Sequence, residues 1–87
     1  MIVEKEDRIA ISPGEFISEL MAERNMAEQT LSLELSMESD DVHCLLDGDF
    51  ILTEEIASGL ETVFGMSQEY WMNLEKAFRT ELAFIST

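Results

Sequence analysis

The chain has 87 residues, enough for one domain and too few for a second core. A 46% hydrophobic content with one Trp, one Tyr and five Phe argues against a disordered acidic tail, and no apolar run approaches the ~18 residues of a membrane span. The net charge of −14 sets the surface against phosphate backbones and anionic headgroups and favours basic partners, unless the acidity serves only to keep a small domain soluble.

A lone Cys44 excludes an internal disulfide and fits a reducing compartment. The opening MIVEKEDR is too charged for a signal peptide, so a cytoplasmic protein is expected.

Taken in chain order, residues 1–11 read as a short N-terminal arm, extended or loose, with a brief alternation at Ile9, Ala10 and Ile11. The domain proper spans 12–87. Ser12-Pro13 opens a helix, with Ser12 as cap and Pro13 at the first helical position, and Glu15 in the first turn suits the helix dipole. Phe16, Ile17, Leu20 and Met21 recur at helical spacing and face the core, and Asn25 stops the helix. A second helix over 27–35 turns Leu31 and Leu35 inward and leaves Leu33 exposed.

Ser36-Met37 makes a turn, and a third helix begins at Glu38 or Ser39. Its apolar stripe is Val42, Leu45 and Leu46, with His43 and Cys44 off the stripe and Asp47-Gly48 at its end. Thr53 caps a fourth helix carrying Ile56, Leu60, Val63 and Phe64, closed by Gly65. Ser67 caps a fifth, in which Tyr70, Trp71, Leu74, Phe78 and Leu82 fall at three- and four-residue spacings. Tyr70, Trp71, Leu74 and Phe78 are read as core or homodimer interface. No hairpin signal is present, and the pattern predicts an all-α bundle of five helices.

The stretch Asn25–Asp49 carries the functional question. Two short helices on a tight connection make a helix-turn-helix, whose second helix ordinarily enters the DNA major groove. Here that helix carries Glu38, Asp40 and Asp41, with Asp47 and Asp49 just beyond, and no Lys or Arg lies between Arg24 and Lys76.

The segments SPGEFISELMAERNM and LLDGDFILTEEIASGLETVFGMSQEYWMNLEKAFRTEL resemble HigA-type antitoxins of the lambda-repressor-like (Xre) helix-turn-helix family. The resemblance covers residues 8–83. It is most specific at Pro13-Gly14-Glu15, at Gly48 to Thr53, and at Phe64-Gly65 followed by Tyr70-Trp71-Met72-Asn73-Leu74, which is similar to the family's F-W-L-N-L signature. It implies a five-helix lambda-repressor-like bundle that dimerises, pairs with a ribonuclease toxin and represses its own operon. Ala27-Glu28 stands where the family has Ser-Gln, and that Gln helps to anchor a phosphate. Ser32 and Ser36 stand at a small residue and a Gly of the turn region. Glu38, Asp40, Asp41, His43 and Asp49 replace polar or basic positions.

Between Asn25 and Glu75 the chain has twelve carboxylates and no fixed cation. Each carboxylate brought near a phosphate costs on the order of 1 kcal/mol at surface dielectric, and base contacts at roughly 1–3 kcal/mol per good pair do not offset the sum. The expectation is therefore that direct DNA binding fails. The face formed by Glu28, Leu33, Glu34, Glu38, Asp40, Asp41, His43, Asp47 and Asp49 is instead expected to imitate nucleic acid. It would block a basic nucleic-acid-binding protein, as a phage or mobile-element inhibitor of host defence would. The alternative is a HigA-type antitoxin that neutralises a ribonuclease toxin and represses its operon. Neither cofactor nor metal is expected: His43 and Cys44 lack two further zinc ligands, and a calcium loop from Asp47 would need Glu where Ser58 stands. No nucleophile–base pair suggests an enzyme.

Overall fold

A computed structural model describes residues 1–5 and 7–86. Five helices follow an N-terminal hairpin: β1 (Ile2–Lys5), β2 (Arg8–Ile11), α1 (Pro13–Glu23), α2 (Glu28–Leu35), α3 (Ser39–Leu46), α4 (Glu54–Phe64) and α5 (Gln68–Ser86). The five-helix bundle agrees with the sequence reading; the hairpin does not. Strands β1 and β2 pair antiparallel, with Val3 opposite Ala10 and Lys5 opposite Arg8. The sequence hides this because Glu6-Asp7, which separates the strands, lacks the Asn-Gly type of turn chemistry. Docking on α5 supplies what the turn does not. Ala10 is buried, Arg8 pairs with Glu81 at 3.3 Å and lies 4.2 Å over the Phe84 ring, and Lys5 Nζ donates to the Ile85 carbonyl at 3.5 Å.

Ser12 occupies the expected cap position of α1, but its side chain makes no cap bond. The hydroxyl accepts instead from the Met1 amino group at 2.9 Å. Pro13 supplies the fixed φ and lacks the N–H that the first turn would orphan. Two other caps form as expected: Thr53 Oγ1 accepts from Ile56 N at 3.3 Å, and Ser67 Oγ from Tyr70 N at 3.1 Å. Gly65 ends α4 with φ 94°, a left-handed conformation that an L side chain adopts only under strain.

Ile17, Met21, Leu31, Val42, Leu45, Leu52, Ala57, Leu60, Phe64 and Trp71 form one core cluster. Trp71 is fully buried and meets Tyr70 edge-on at 5.6 Å between ring centroids. Gly14 lets the start of α1 rest on the end of α3, for a Cβ there would fall 2.2 Å from the Leu45 carbonyl oxygen. Buried Glu75 of α5 accepts from Leu52 N at 2.6 Å and from Arg79 Nε at 2.7 Å, and Arg79 also donates to the Phe50 carbonyl. That knot fixes the loop between α3 and α4.

Candidate nucleic-acid interface

The site is built on two eight-residue helices, α2 and α3, joined by Ser36, Met37 and Glu38. Leu31 of α2 and Val42 and Leu45 of α3 are buried, and this apolar seam sets the two helices against each other. Burying a Leu or Val side chain completely contributes about 1.5–3 kcal/mol, so these three outweigh the weak helical tendency of segments this short. Ser36 turns the chain with φ 54° and ψ 42°, the left-handed region. The adjoining bonds hold it there: Met37 N donates to Ser32 O at 3.0 Å, and Ser32 Oγ donates to Met37 O. Neither α2 nor α3 has a side-chain cap at its start, so no side chain of Ala27 or Glu38 engages their first backbone N–H groups.

The outer surface of this unit is acidic. Glu28 opens α2, Glu38 precedes α3, and Asp40 and Asp41 occupy the first turn of α3, Asp41 half-buried and the other three exposed. Glu34 is exposed, and Leu33 is 82% exposed on α2. Asp47 ends α3 and Asp49 follows in the loop, both exposed.

Within this set the fold gathers Glu28, His43, Asp47 and Asp49 around one shallow groove, together with Glu15 of α1, which sequence reasoning had placed only as a dipole partner. His43 Nδ1 lies 3.2 Å from Glu28 Oε1, and its Nε2 lies 3.3 Å from Asp47 Oδ2. The hydrogen bond to Glu28 raises the His43 pKa above its ordinary value, with the charges of Asp47, Glu28 and Asp40 adding to it against a small opposing desolvation. Leu33, Glu34, Glu38, Asp40 and Asp41 lie outside the groove.

Four of the five Lys and Arg residues are engaged elsewhere. Arg24 donates to the Val63 and Phe64 carbonyls at the end of α4, Arg79 serves Glu75, and Lys5 and Arg8 hold the hairpin. Of the aromatic and apolar quartet on α5, Trp71 and Phe78 are buried, Leu74 is half-buried and Tyr70 is 42% exposed. Ile9, Ile11, Phe16, Leu74, Ala77 and Phe78 line a second, apolar groove between the hairpin, α1 and α5. No helix among the described residues is long and apolar enough to cross a membrane.

Two packed helices on a three-residue turn, the second with an exposed outer face, define a helix-turn-helix protein. No family model matches the chain. It is 32% identical over 66 residues to the uncharacterized HTH-type transcriptional regulator YddM of Escherichia coli, covering 76% of this chain and 70% of that one. It is 31% identical to an addiction module antidote protein of a HigA family from Coxiella burnetii, covering 84% of this chain and 80% of that one, with a TM-score of 0.76. The chain belongs to the HigA family of helix-turn-helix proteins. The same fold recurs, at 23% identity and a TM-score of 0.81, in the Pseudomonas aeruginosa antitoxin HigA with the higBA promoter, over 87% of this chain and 84% of that one.

These relatives overturn two expectations drawn from charge. The chain stands among transcriptional regulators and antidote proteins, not among inhibitors that imitate nucleic acid, and the expectation that DNA binding fails does not hold against a fold recorded with promoter DNA. The count of twelve carboxylates from Asn25 to Glu75 overstates the charge that this face presents to phosphate. Glu75 is buried against Leu52 and Arg79, Glu61 accepts from Gln68 N at 2.8 Å where α5 begins, and Glu28 and Asp47 flank His43, which offsets their charge when its ring is protonated.

Proposed function

We propose that the protein is a non-enzymatic antitoxin of the HigA type. It binds the operator of its own operon as a transcriptional repressor and neutralises a ribonuclease toxin. The observation that carries this reading is the 31% identity to the Coxiella antidote protein over 84% of the chain. The regulator YddM, at 32% identity, supports the DNA-binding half.

In this reading α3 enters the major groove. Affinity comes from backbone N–H donors at the uncapped starts of α2 and α3, which face phosphates, and from Asp40 or Asp41 accepting from a cytosine amino group. Glu38 and Asp49 border the same face. Leu33 and Glu34, on the outer side of α2, contact the toxin. The protein acts in the cytoplasm, where the operator is. Two protomers meet along the apolar groove of Ile9, Ile11, Leu74 and Ala77, with Tyr70 beside it, so that two α3 helices read two half-sites.

The test is a mobility-shift titration of the purified protein against duplexes tiling the promoter region of its operon, at low salt, beside co-purification with the product of the adjoining gene. Specific retardation of one duplex and a stable complex with a small ribonuclease are expected. Equal binding to unrelated duplexes together with no complex would reject the reading.

A further inference from the structure

Both ring nitrogens of His43 face carboxylate oxygens, Nδ1 at Glu28 on α2 and Nε2 at Asp47 at the end of α3. A neutral imidazole has one N–H donor and one lone pair, so it satisfies one carboxylate and turns a lone pair on the other. An imidazolium donates to both. Only the protonated ring can therefore donate to both carboxylates and so tie the start of α2 to the last turn of α3.

The same residue is the one side chain between Asn25 and Glu75 able to gain a positive charge near neutral pH. From these observations we propose that His43 is a proton-operated clamp of the helix-turn-helix, and that its protonation tightens operator binding. The inference rests on the operator-binding reading above.

Every charged neighbour acts in one direction or the other. Glu28 of α2 and Asp40 and Asp47 of α3 favour the imidazolium directly. Glu15 of α1 and Asp49 line the same groove and add negative field, while the Met1 amino group, at the groove's edge, opposes it. Glu15 and Met1 are already paired with each other at 3.2 Å, which reduces the effect of both. On protonation the Glu28 carboxylate is held against the ring, at the first helical position of α2, where a free carboxylate would repel a phosphate approaching the backbone N–H groups. One proton thus removes one unit of net negative charge and immobilises two acids on the DNA-facing side.

The sign follows from the raised pKa. The clamp is closed below the unfolded-state value near 6.5 and opens as pH rises through the higher folded value.

The experiment measures affinity for the promoter duplex at pH 6.0, 7.0 and 8.0 at constant ionic strength, for the wild type, His43→Gln and Glu28→Gln. An NMR titration of the His43 ring and thermal unfolding across the same range accompany it. Wild-type affinity should rise roughly fivefold from pH 8.0 to 6.0, the order expected of one charge near a phosphate, while His43→Gln stays nearly flat. Glu28→Gln should move the ring's titration midpoint down. The wild type should gain thermal stability over His43→Gln as pH falls.

A pH slope shared by wild type and His43→Gln would assign it to carboxylates and overturn the proposal. So would a ring midpoint at or below 6.5. Absence of duplex binding at every pH would instead reject the operator reading and the coupling with it. The ring midpoint and the widening stability gap would then still decide whether the clamp exists.

Discussion

Leu52 and Glu75 are joined by a buried hydrogen bond of 2.6 Å, from the Leu52 amide to Glu75 Oε2, while Glu75 Oε1 holds Arg79 at 2.7 Å. One carboxylate therefore fastens the loop between α3 and α4 to α5, and that loop sets where α3 ends. Replacing Glu75 by Ala leaves a buried amide unpaired and Arg79 without its carboxylate. The expected cost is about 3 kcal/mol in urea unfolding, against about 1–2 kcal/mol for Glu75→Gln, which keeps an acceptor. Equal losses in the two variants would show that the contact is incidental.

Gly14 and Gly65 should respond differently to alanine. At Gly14 a Cβ would lie 2.2 Å from Leu45 O and 2.6 Å from Leu46 O, so α1 must move away from α3. A loss of about 2–4 kcal/mol is expected, with disturbance of the helix-turn-helix visible in amide chemical shifts. At Gly65 nothing stands within 4 Å, and the cost is only that of φ 94°, about 1 kcal/mol. Similar values for both would argue against the close approach of α1 and α3.

Ser36 bears a conformational strain that its sequence position could shed. With φ 54° it occupies a left-handed turn that glycine takes freely. Ser36→Gly is expected to stabilise the fold by about 0.5–1 kcal/mol, the gain in backbone strain exceeding the entropy that glycine adds to the unfolded chain. A lower melting temperature for this variant would mean that the hydroxyl has a role of its own.

Asp40 and Asp41 oppose the approach of α3 to DNA while offering cytosine contacts. Changing both to Asn should tighten binding to unrelated duplexes by about fivefold per residue, since each removed charge relieves on the order of 1 kcal/mol at surface dielectric. Discrimination between promoter and unrelated duplexes should shrink at the same time. Tighter binding with unchanged discrimination would remove these two residues from sequence reading.

Salt dependence offers an independent check. Fixed cations release counterions when they meet phosphates, and each contact contributes a slope of about −0.9 in log affinity against log salt. With no Lys or Arg from Asn25 to Glu75, promoter affinity should fall with a slope shallower than about −3. A steep slope, measured between low and physiological salt, would require a cationic contact from Lys5, Arg8, Arg24, Lys76 or Arg79.

The five helices and the caps at Thr53 and Ser67 were legible because each has a local cause. Val42 with Leu45 and Leu31 with Leu35 repeat at helical spacing, Thr53 caps by its own hydroxyl, and Gly65 tolerates a positive φ. The acidity of the helix-turn-helix was equally plain, since composition needs no fold. What neighbouring residues do across long sequence separations was not legible. Strand β1 pairs with β2, though no glycine stands between them in the sequence, because both pack on α5. The Ser12 hydroxyl accepts from the Met1 amino group, and Glu75 turns inward to an amide 23 positions away. A carboxylate in a sequence counts as one negative charge, but only tertiary contacts decide whether solvent, an amide, an arginine or a histidine meets it, and so whether it faces DNA at all.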